Sequence, residues 1–365
     1  MAAYDVTRFG AKPDGRTDSA KAFLTAWAKA CSSRSPSIIY VPKGTFLVSQ
    51  ASFLGPCKSP AIRILIKGTI VAKYGYDSSL KWLYLKNVDN VGIFGGTIDG
   101  RGKSLWACKM ARRSCPIGAI SLTIASSKNV VISGLTSVNS KLFHISIQSS
   151  SEISIRNSWL IAPKESPNTD GFHIQSSSGV SITGTVIKTG DDCIAMKAGV
   201  KNVWIDHVYC GPGHGISIGS LGDVRKEEGV QNITVKSVVF SGTQNGLRIK
   251  TWGKPSTGFV KGVTFQHSVM YNVRNPIIID QNYCPSKINC PNQHSGIKIS
   301  DVSFSNIKGS SASKVAMTFD CSKKNPCTGI GLKNIKLTYG KIKAESFCRN
   351  AGGRSSGSVI PPSCL

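Results

Sequence analysis

One four-residue phrase, returning along the chain, constrains the fold more than any other feature of this sequence. It reads Asn90-Val91-Gly92-Ile93, Asn129-Val130-Val131-Ile132, Glu152-Ile153-Ser154-Ile155, Gly179-Val180-Ser181-Ile182, Asn202-Val203-Trp204-Ile205, Asn232-Ile233-Thr234-Val235, Gly262-Val263-Thr264-Phe265 and Asp301-Val302-Ser303-Phe304. Asn334-Ile335-Lys336-Leu337 is taken as the last copy. The steps between copies are 39, 23, 27, 23, 30, 30, 39 and 33 residues. A second phrase lies inside the intervals, as in Phe143-His144-Ile145-Ser146-Ile147, Gly171-Phe172-His173-Ile174, Gly215-Ile216-Ser217-Ile218 and Gly246-Leu247-Arg248-Ile249. Repeats of this length, made of very short strands and turns, mark a solenoid whose units bury their apolar sides against one another. Alternating apolar and small polar residues turn one face of each strand inward. The repeats therefore predict an all-β chain, a single-domain right-handed parallel β-helix over residues 37–345. A sandwich or barrel is the rival, but it gives no reason for the copies.

The ends differ from the repeats. Residues 4–36 hold a short strand, a Gly/Pro-rich turn (Gly10 to Gly15) and one predicted helix. Asp18 is its expected N-cap, and Phe23, Ala26, Trp27, Ala30 and Cys31 follow at helical spacing. This is the only helix the sequence predicts, and its expected job is to cap one end of the core. Residues 346–365, with Cys364 and two prolines, are expected to form a disulfide-pinned C-terminal cover. Two segments break the rhythm, Asp99 to Gly118 and Leu221 to Gly229. Long loops on a solenoid tend to wall its binding face.

The 12 cysteines fall into close pairs: Cys108 and Cys115, Cys193 and Cys210, Cys284 and Cys290, Cys321 and Cys327, Cys348 and Cys364. Cys31 and Cys57 remain to each other by elimination. None of these intervals has the paired Cys-x-x-Cys spacing of a zinc site, so disulfides in an oxidising compartment are expected. Asn232-Ile233-Thr234 is an N-glycosylation sequon. No apolar run is long enough to span a bilayer, and no membrane association is expected. Met1-Ala2-Ala3 leads directly into Tyr4-Asp5-Val6, as in a mature form with its leader removed and a starting Met supplied.

A net charge of +26 favours a polyanionic partner: nucleic acid, anionic membrane or acidic polysaccharide. The cations are scattered, and neither a basic helix with interleaved aromatics nor a nucleic-acid motif occurs, so no nucleic acid is expected. A basic surface that merely keeps the chain soluble is the plainer alternative.

Four clusters carry the chemistry: Asn168-Thr169-Asp170, Gly190-Asp191-Asp192-Cys193, Gly213-His214-Gly215 and Arg248-Ile249-Lys250. Asp170 stands 22 residues before Asp192, His214 stands 22 after it, and Arg248 follows 34 later, close to one turn plus an insertion. In a parallel β-helix this spacing stacks them on one face. Each cluster alone is as readily a turn or a patch of surface charge. Together they match what inverting glycoside hydrolysis requires, a carboxylic acid and a carboxylate roughly 6.5–9.5 Å apart. Clustered carboxylates repel one another, which keeps one protonated. His214 suits tuning that proton. Arg248 and Lys250 suit a carboxylate on the substrate. His144, His173 and His207 do not share the pattern and are expected to be structural.

These four motifs, in this order, resemble those of the polygalacturonases, pectin-degrading family 28 glycoside hydrolases. The similarity runs over nearly the whole chain from Asp5-Val6-Thr7-Arg8-Phe9-Gly10 onward and is greatest to the plant pollen exo-acting type, some members of which are allergens. The resemblance implies inverting hydrolysis of α-1,4-linked galacturonic acid in pectin, with no metal or other cofactor. It implies Asp191 as general acid, Asp170 and Asp192 as holders of the attacking water, and His214 as tuner of the acid. Asn168 would shape the site, and Arg248, Lys250 and Tyr283 would bind substrate. A secreted, extracellular monomer of the plant cell wall is expected. The rival readings are endo action, a rhamnogalacturonan or xylogalacturonan hydrolase, a calcium-dependent pectate lyase, and a non-catalytic cationic pectin-binding wall protein.

Overall fold

Period-two alternation is obeyed strand after strand. Lys128–Ser133 buries Val130 and Ile132, Ser151–Arg156 buries Ile153 and Ile155, and Lys201–Asp206 buries Val203 and Ile205. The residues between them face outward. The computed structural model describes residues 2–76 and 78–365, so the starting Met1 of the expected mature form lies outside the described residues. The chain divides into two compact units, one running up to His173 and including Val180–Asp191, the other made of Ile174–Gly179 and Asp192–Leu365.

Each unit is a stretch of right-handed parallel β-helix with up to three strands per turn. In the first unit one series runs Ala2–Asp5, Ser37–Val41, Ile62–Ile66, Asp89–Phe94, Lys128–Ser133 and Ser151–Arg156, each parallel to the next. A second series of mostly three-residue strands runs from Asp14–Asp18 through Thr45–Leu47, Thr69–Val71, Thr97–Asp99, Thr136–Val138 and Trp159–Ile161 to Val186–Lys188. A third runs Ala51–Leu54, Lys81–Lys86, Ile120–Ala125, Ile145–Gln148. In the second unit a series runs Ile194–Met196, Ile216–Leu221, Asn245–Trp252, Asn275–Tyr283, Val315–Asp320 and Glu345–Arg349.

The copies of the phrase stack as the repeats predict. Val91 pairs with Val130, Val130 with Ile153, Val203 with Ile233, Ile233 with Val263 and Val263 with Val302. The final copy is displaced. Val302 pairs with Ile330, and Ile335 pairs with Ile307. The strand Cys327–Thr338 buries Ile330 and Leu332 and, after a slip at Lys333-Asn334, Ile335 and Leu337, so two stretches of the same grammar compete for the column. Asn at the phrase start has a physical basis. Asn90, Asn129, Asn202, Asn232, Asn306 and Asn334 all have φ between 50° and 57°, a left-handed conformation that Asn tolerates. Their amides also bond between turns: Asn129 to Asn90 at 2.5 Å, Asn232 to Asn202 at 2.7 Å, and Asn334 to Asn306 at 3.2 Å.

Parallel pairing extends past the expected limits of 37 and 345. Ala2–Asp5 already pairs with Ser37–Val41, and Ala351–Ile360 pairs with Cys327–Thr338. The segment expected as a disulfide-pinned cover carries the Cys348–Cys364 bond and also supplies strands of its own. Helix α1 spans Ala20–Ser32 and buries Ala22, Phe23, Ala26, Trp27 and Ala30, as its spacing predicts. Its N-cap is Ser19 rather than Asp18, although the Asp18 carboxylate still accepts from Ala20 N at 3.0 Å. A second helix, α2 (Lys103–Met110), lies in the segment read as a loop. It is short, and its apolar residues form no clear stripe. It is fixed instead by the Cys108–Cys115 disulfide and by Trp106 Nε1 donating to Ser140 O at 3.2 Å. All 12 cysteines are paired, in the six combinations expected.

Candidate active site

In the first unit the cluster Asn168-Thr169-Asp170 follows the strand Trp159–Ile161, and Asp191 follows Val186–Lys188 one turn on. The two connections are tied together by Thr169, whose Oγ1 accepts from Gly190 N at 3.0 Å. Gly190 is required there, since a Cβ would stand 2.0 Å from Ser166 O. Asn168 has a φ of 56° and its Nδ2 lies 3.4 Å from Asp191 Oδ2, so it reaches across to that carboxylate. Asp170 is buried at 6% exposure, and its carbonyl accepts from His144 N. Asp191 is half-buried and open to a ligand. The structure thus brings Asn168, Asp170 and Asp191 onto adjacent turns.

In the second unit Asp192 begins the next connection, held by the Cys193–Cys210 disulfide and by Cys193 N donating to Gly215 O at 2.8 Å. Register does the rest. Ile194 pairs with Ile216, 22 residues on, and Ser217 pairs with Arg248, so outward-facing side chains align. Arg248 NH2 donates to Asp192 Oδ1 at 2.7 Å and Arg248 Nε to Ser217 Oγ at 2.8 Å. Lys250 Nζ donates to Asp192 Oδ2 at 2.8 Å, and Ser217 Oγ to Asp192 Oδ1 at 3.0 Å. Asp192 is 2% exposed. Burial alone would raise its carboxyl, but Lys250 and Arg248, with His214 adding, outweigh it and hold the group below the usual carboxylate range. His214 is half-buried on a turn secured by Asn245 Nδ2, which donates to His214 O at 3.0 Å. Tyr283 joins the cluster, with Lys250 Nζ 5.1 Å from its ring centroid and Trp252 packed edge-on at 5.2 Å.

Sequence reasoning missed three members. Ser217 bridges Arg248 and Asp192, and only its outward position two residues after Gly215 hints at it. Asp280 pairs in register with Lys250; burial raises its carboxyl, and Asp320 adds to this against the Asn282 amide. Trp252 lies two residues beyond Lys250 on the same strand. The other histidines have local roles. His144 is buried with Nδ1 2.8 Å from Ser137 Oγ, His173 stacks on Phe143 at 4.2 Å, and exposed His207 meets Asp206 at 2.9 Å.

This arrangement assigns two different characters to consecutive residues. Asp192 is held ionised by two cations and a hydroxyl, so it has no proton to give. Asp191 is half-buried, with the Asn168 amide 3.4 Å from its carboxylate.

A sequence model described as Glycosyl hydrolases family 28 matches residues 31–358, and one described as Rhamnogalacturonase A/epimerase, pectate lyase-like, matches residues 3–54. The chain is 53% identical over 366 residues to a polygalacturonase of Prunus persica, covering 99% of this chain and 93% of that one. It is 40% identical over 368 residues to an exopolygalacturonase of Platanus acerifolia, with 98% and 96% covered. Among solved structures, an endo-xylogalacturonan hydrolase from Aspergillus tubingensis matches with a TM-score of 0.86 at 24% identity, over 98% of this chain and 100% of that one. A hyperthermoactive exopolygalacturonase from Thermotoga maritima matches at 0.80 and 20% identity, over 98% and 91%. At those identities the structures speak for the fold alone.

Proposed function

Because the chain belongs to the glycosyl hydrolases of family 28, we propose that it hydrolyses α-1,4 bonds between galacturonic acid residues of pectin with inversion. Asp191 protonates the leaving oxygen, while Asp170 and Asp192 hold the attacking water. Asn168 orients Asp191, and His214 assists the acid. Arg248, Lys250 and Tyr283 form the seat of a galacturonate ring. The observation that carries this reading is the buried Asp192 between Arg248 and Lys250. It supplies a carboxylate that stays ionised beside cations suited to a uronate.

Exo action, releasing galacturonic acid, is the favoured form, in line with the resemblance to the pollen type. The same reading extends to a secreted monomer of the plant cell wall. Six disulfides support an oxidising compartment, and exposed Asn232 in its sequon is the expected glycan site. No helix among the described residues is long and apolar enough to cross a membrane.

Incubation with long polygalacturonate tests the proposal. New reducing ends, no rise in ultraviolet absorbance and full activity in EDTA are expected. Loss of activity in EDTA, with unsaturated products, identifies a calcium-dependent lyase instead. Binding without turnover identifies a wall-binding protein. Early products that are galacturonic acid alone establish exo action, and a ladder of oligomers establishes endo action.

A further inference from the structure

In the second unit, the strands that carry Arg248 and Lys250 are followed by others on the same face. Asn275–Tyr283 buries Ile277 and Ile279 and turns Ile278 and Asp280 outward. Asp280 is the register partner of Lys250, so the two emerge side by side. Asp280 pairs in turn with Asp320, and Asp320 with Arg349. Taken turn by turn across the strands, this line carries Lys250, Asp280, Asp320 and Arg349. Each step is one strand spacing, about 4.8 Å.

The charges along this line are unevenly matched. Lys250 and Arg248 both bond Asp192. Arg349 clamps Asp320, Nε to Oδ1 and NH2 to Oδ2, each at 2.6 Å. Half-buried Asp280 accepts from Asn282 N at 2.8 Å and, among the described residues, forms no ion pair. Burial raises its carboxyl and the Asp320 carboxylate adds to this, so like charge is already felt there. Trp252 and Tyr283, register partners packed edge-on, are both half-buried and leave aromatic surface open beside the same turn. The groups that hold Asp192 come from successive turns. A polysaccharide that reaches the Arg248 and Lys250 seat and continues in this direction therefore crosses the strands and meets Asp280 next.

We propose that Asp280 sets the charge preference of the subsite next to the galacturonate seat, favouring a methyl-esterified galacturonate over an ionised one. An ionised ring there brings a third carboxylate to Asp280 and Asp320, and Arg349 is already committed to Asp320. An ester removes that charge and gives the aromatic pair an apolar group to cover. The inference rests on the polygalacturonate reading above. It adds which pectin is accepted, ionised at the seat and esterified beside it.

The test compares trigalacturonate with its analogue methyl-esterified at the reducing-end residue, on wild-type protein and on Asp280→Asn. Asparagine removes the charge and keeps an oxygen for the Asn282 amide. Each trimer is read as a substrate and as a competitor of long polygalacturonate. Wild type prefers the esterified trimer by about fivefold, the scale of one like-charge contact screened by water, and the difference lies in KM and Ki. Asp280→Asn binds the ionised trimer more tightly and brings the ratio close to one. Salt at about 0.5 M also shrinks the wild-type ratio, because it screens the repulsion, while its weakening of the seat falls on both trimers alike. The salt series decides if the variant does not fold. A wild-type ratio at or below one, or one that neither folded Asp280→Asn nor salt reduces, overturns the role of Asp280 and leaves the enzyme reading intact. Absence of new reducing ends from long polygalacturonate overturns both.

Discussion

Lys250 donates to Asp192 at 2.8 Å although 58 residues separate them, and the side chains of both are at most 9% exposed. Arg248 holds the other carboxylate oxygen at 2.7 Å. The two cations thus have a first task, fixing Asp192 within the protein, beside a second that is proposed, seating the substrate's carboxylate. Sequence alone assigned them only the second task.

Neutralising Asp192 should therefore cost folding as well as catalysis. Asp192→Asn leaves two buried cations with one fewer charge between them, a change of about 3–5 kcal/mol for a broken buried pair. Chemical denaturation should show a loss of that order, and it should shrink when Lys250→Met is combined with it. An additive double variant would mean that the two groups are not coupled.

Asp191→Asn should behave differently. The group is half-buried with the Asn168 amide 3.4 Å away, so turnover should fall by about 10²- to 10⁴-fold while stability changes less than in Asp192→Asn. Arg248→Ala should raise KM and also lower stability, because Arg248 bonds both Asp192 and Ser217. Reducing-end assays beside melting curves separate the three variants.

Acid should weaken the fold in two stages. Burial lowers the pKa of His144 from 6.5 to about 3, so its neutral form is the folded form. The stability it supplies is complete above pH 6.5 and is lost as pH falls toward 3. Asp192 is also lowered, from 3.8, and its contribution is lost only below that value. Between pH 7 and pH 5 the His144 contribution should fall by roughly 2 kcal/mol. Denaturant titrations at both pH values check this, and His144→Gln should flatten the difference.

The Cys193–Cys210 disulfide closes a loop of 17 residues directly after Asp192. Replacing both cysteines by Ser should cost about 3 kcal/mol and reduce activity, because the Asp191-Asp192 backbone loses its anchor. An unchanged kcat in the double variant would show that the strand pairing alone positions these residues.

Most of the fold was legible because a solenoid writes its architecture into the sequence locally. Each turn repeats the same apolar alternation, and each copy pairs with the next, so Val130 over Val91 or Ile216 over Ile194 follows from spacing. Within the second unit the neighbours at the site were legible for the same reason, since spacing sets which residues pair, Ile194 with Ile216 and Ser217 with Arg248. Helix α2 was hidden because its order comes from a disulfide and a tryptophan bond rather than from amphipathic spacing. The last copy was misplaced because Gly329-Ile330-Gly331-Leu332 and Asn334-Ile335-Lys336-Leu337 share the same apolar spacing within one strand.

By itself the sequence determined a parallel β-helix, six cysteine pairs, and the residues that gather at the site. Only the tertiary structure decided how those residues share their charges. Pairing between Asp192, Ser217, Arg248 and Lys250 depends on which side chains emerge side by side and how deeply they are buried, and burial sets whether a carboxylate keeps its charge.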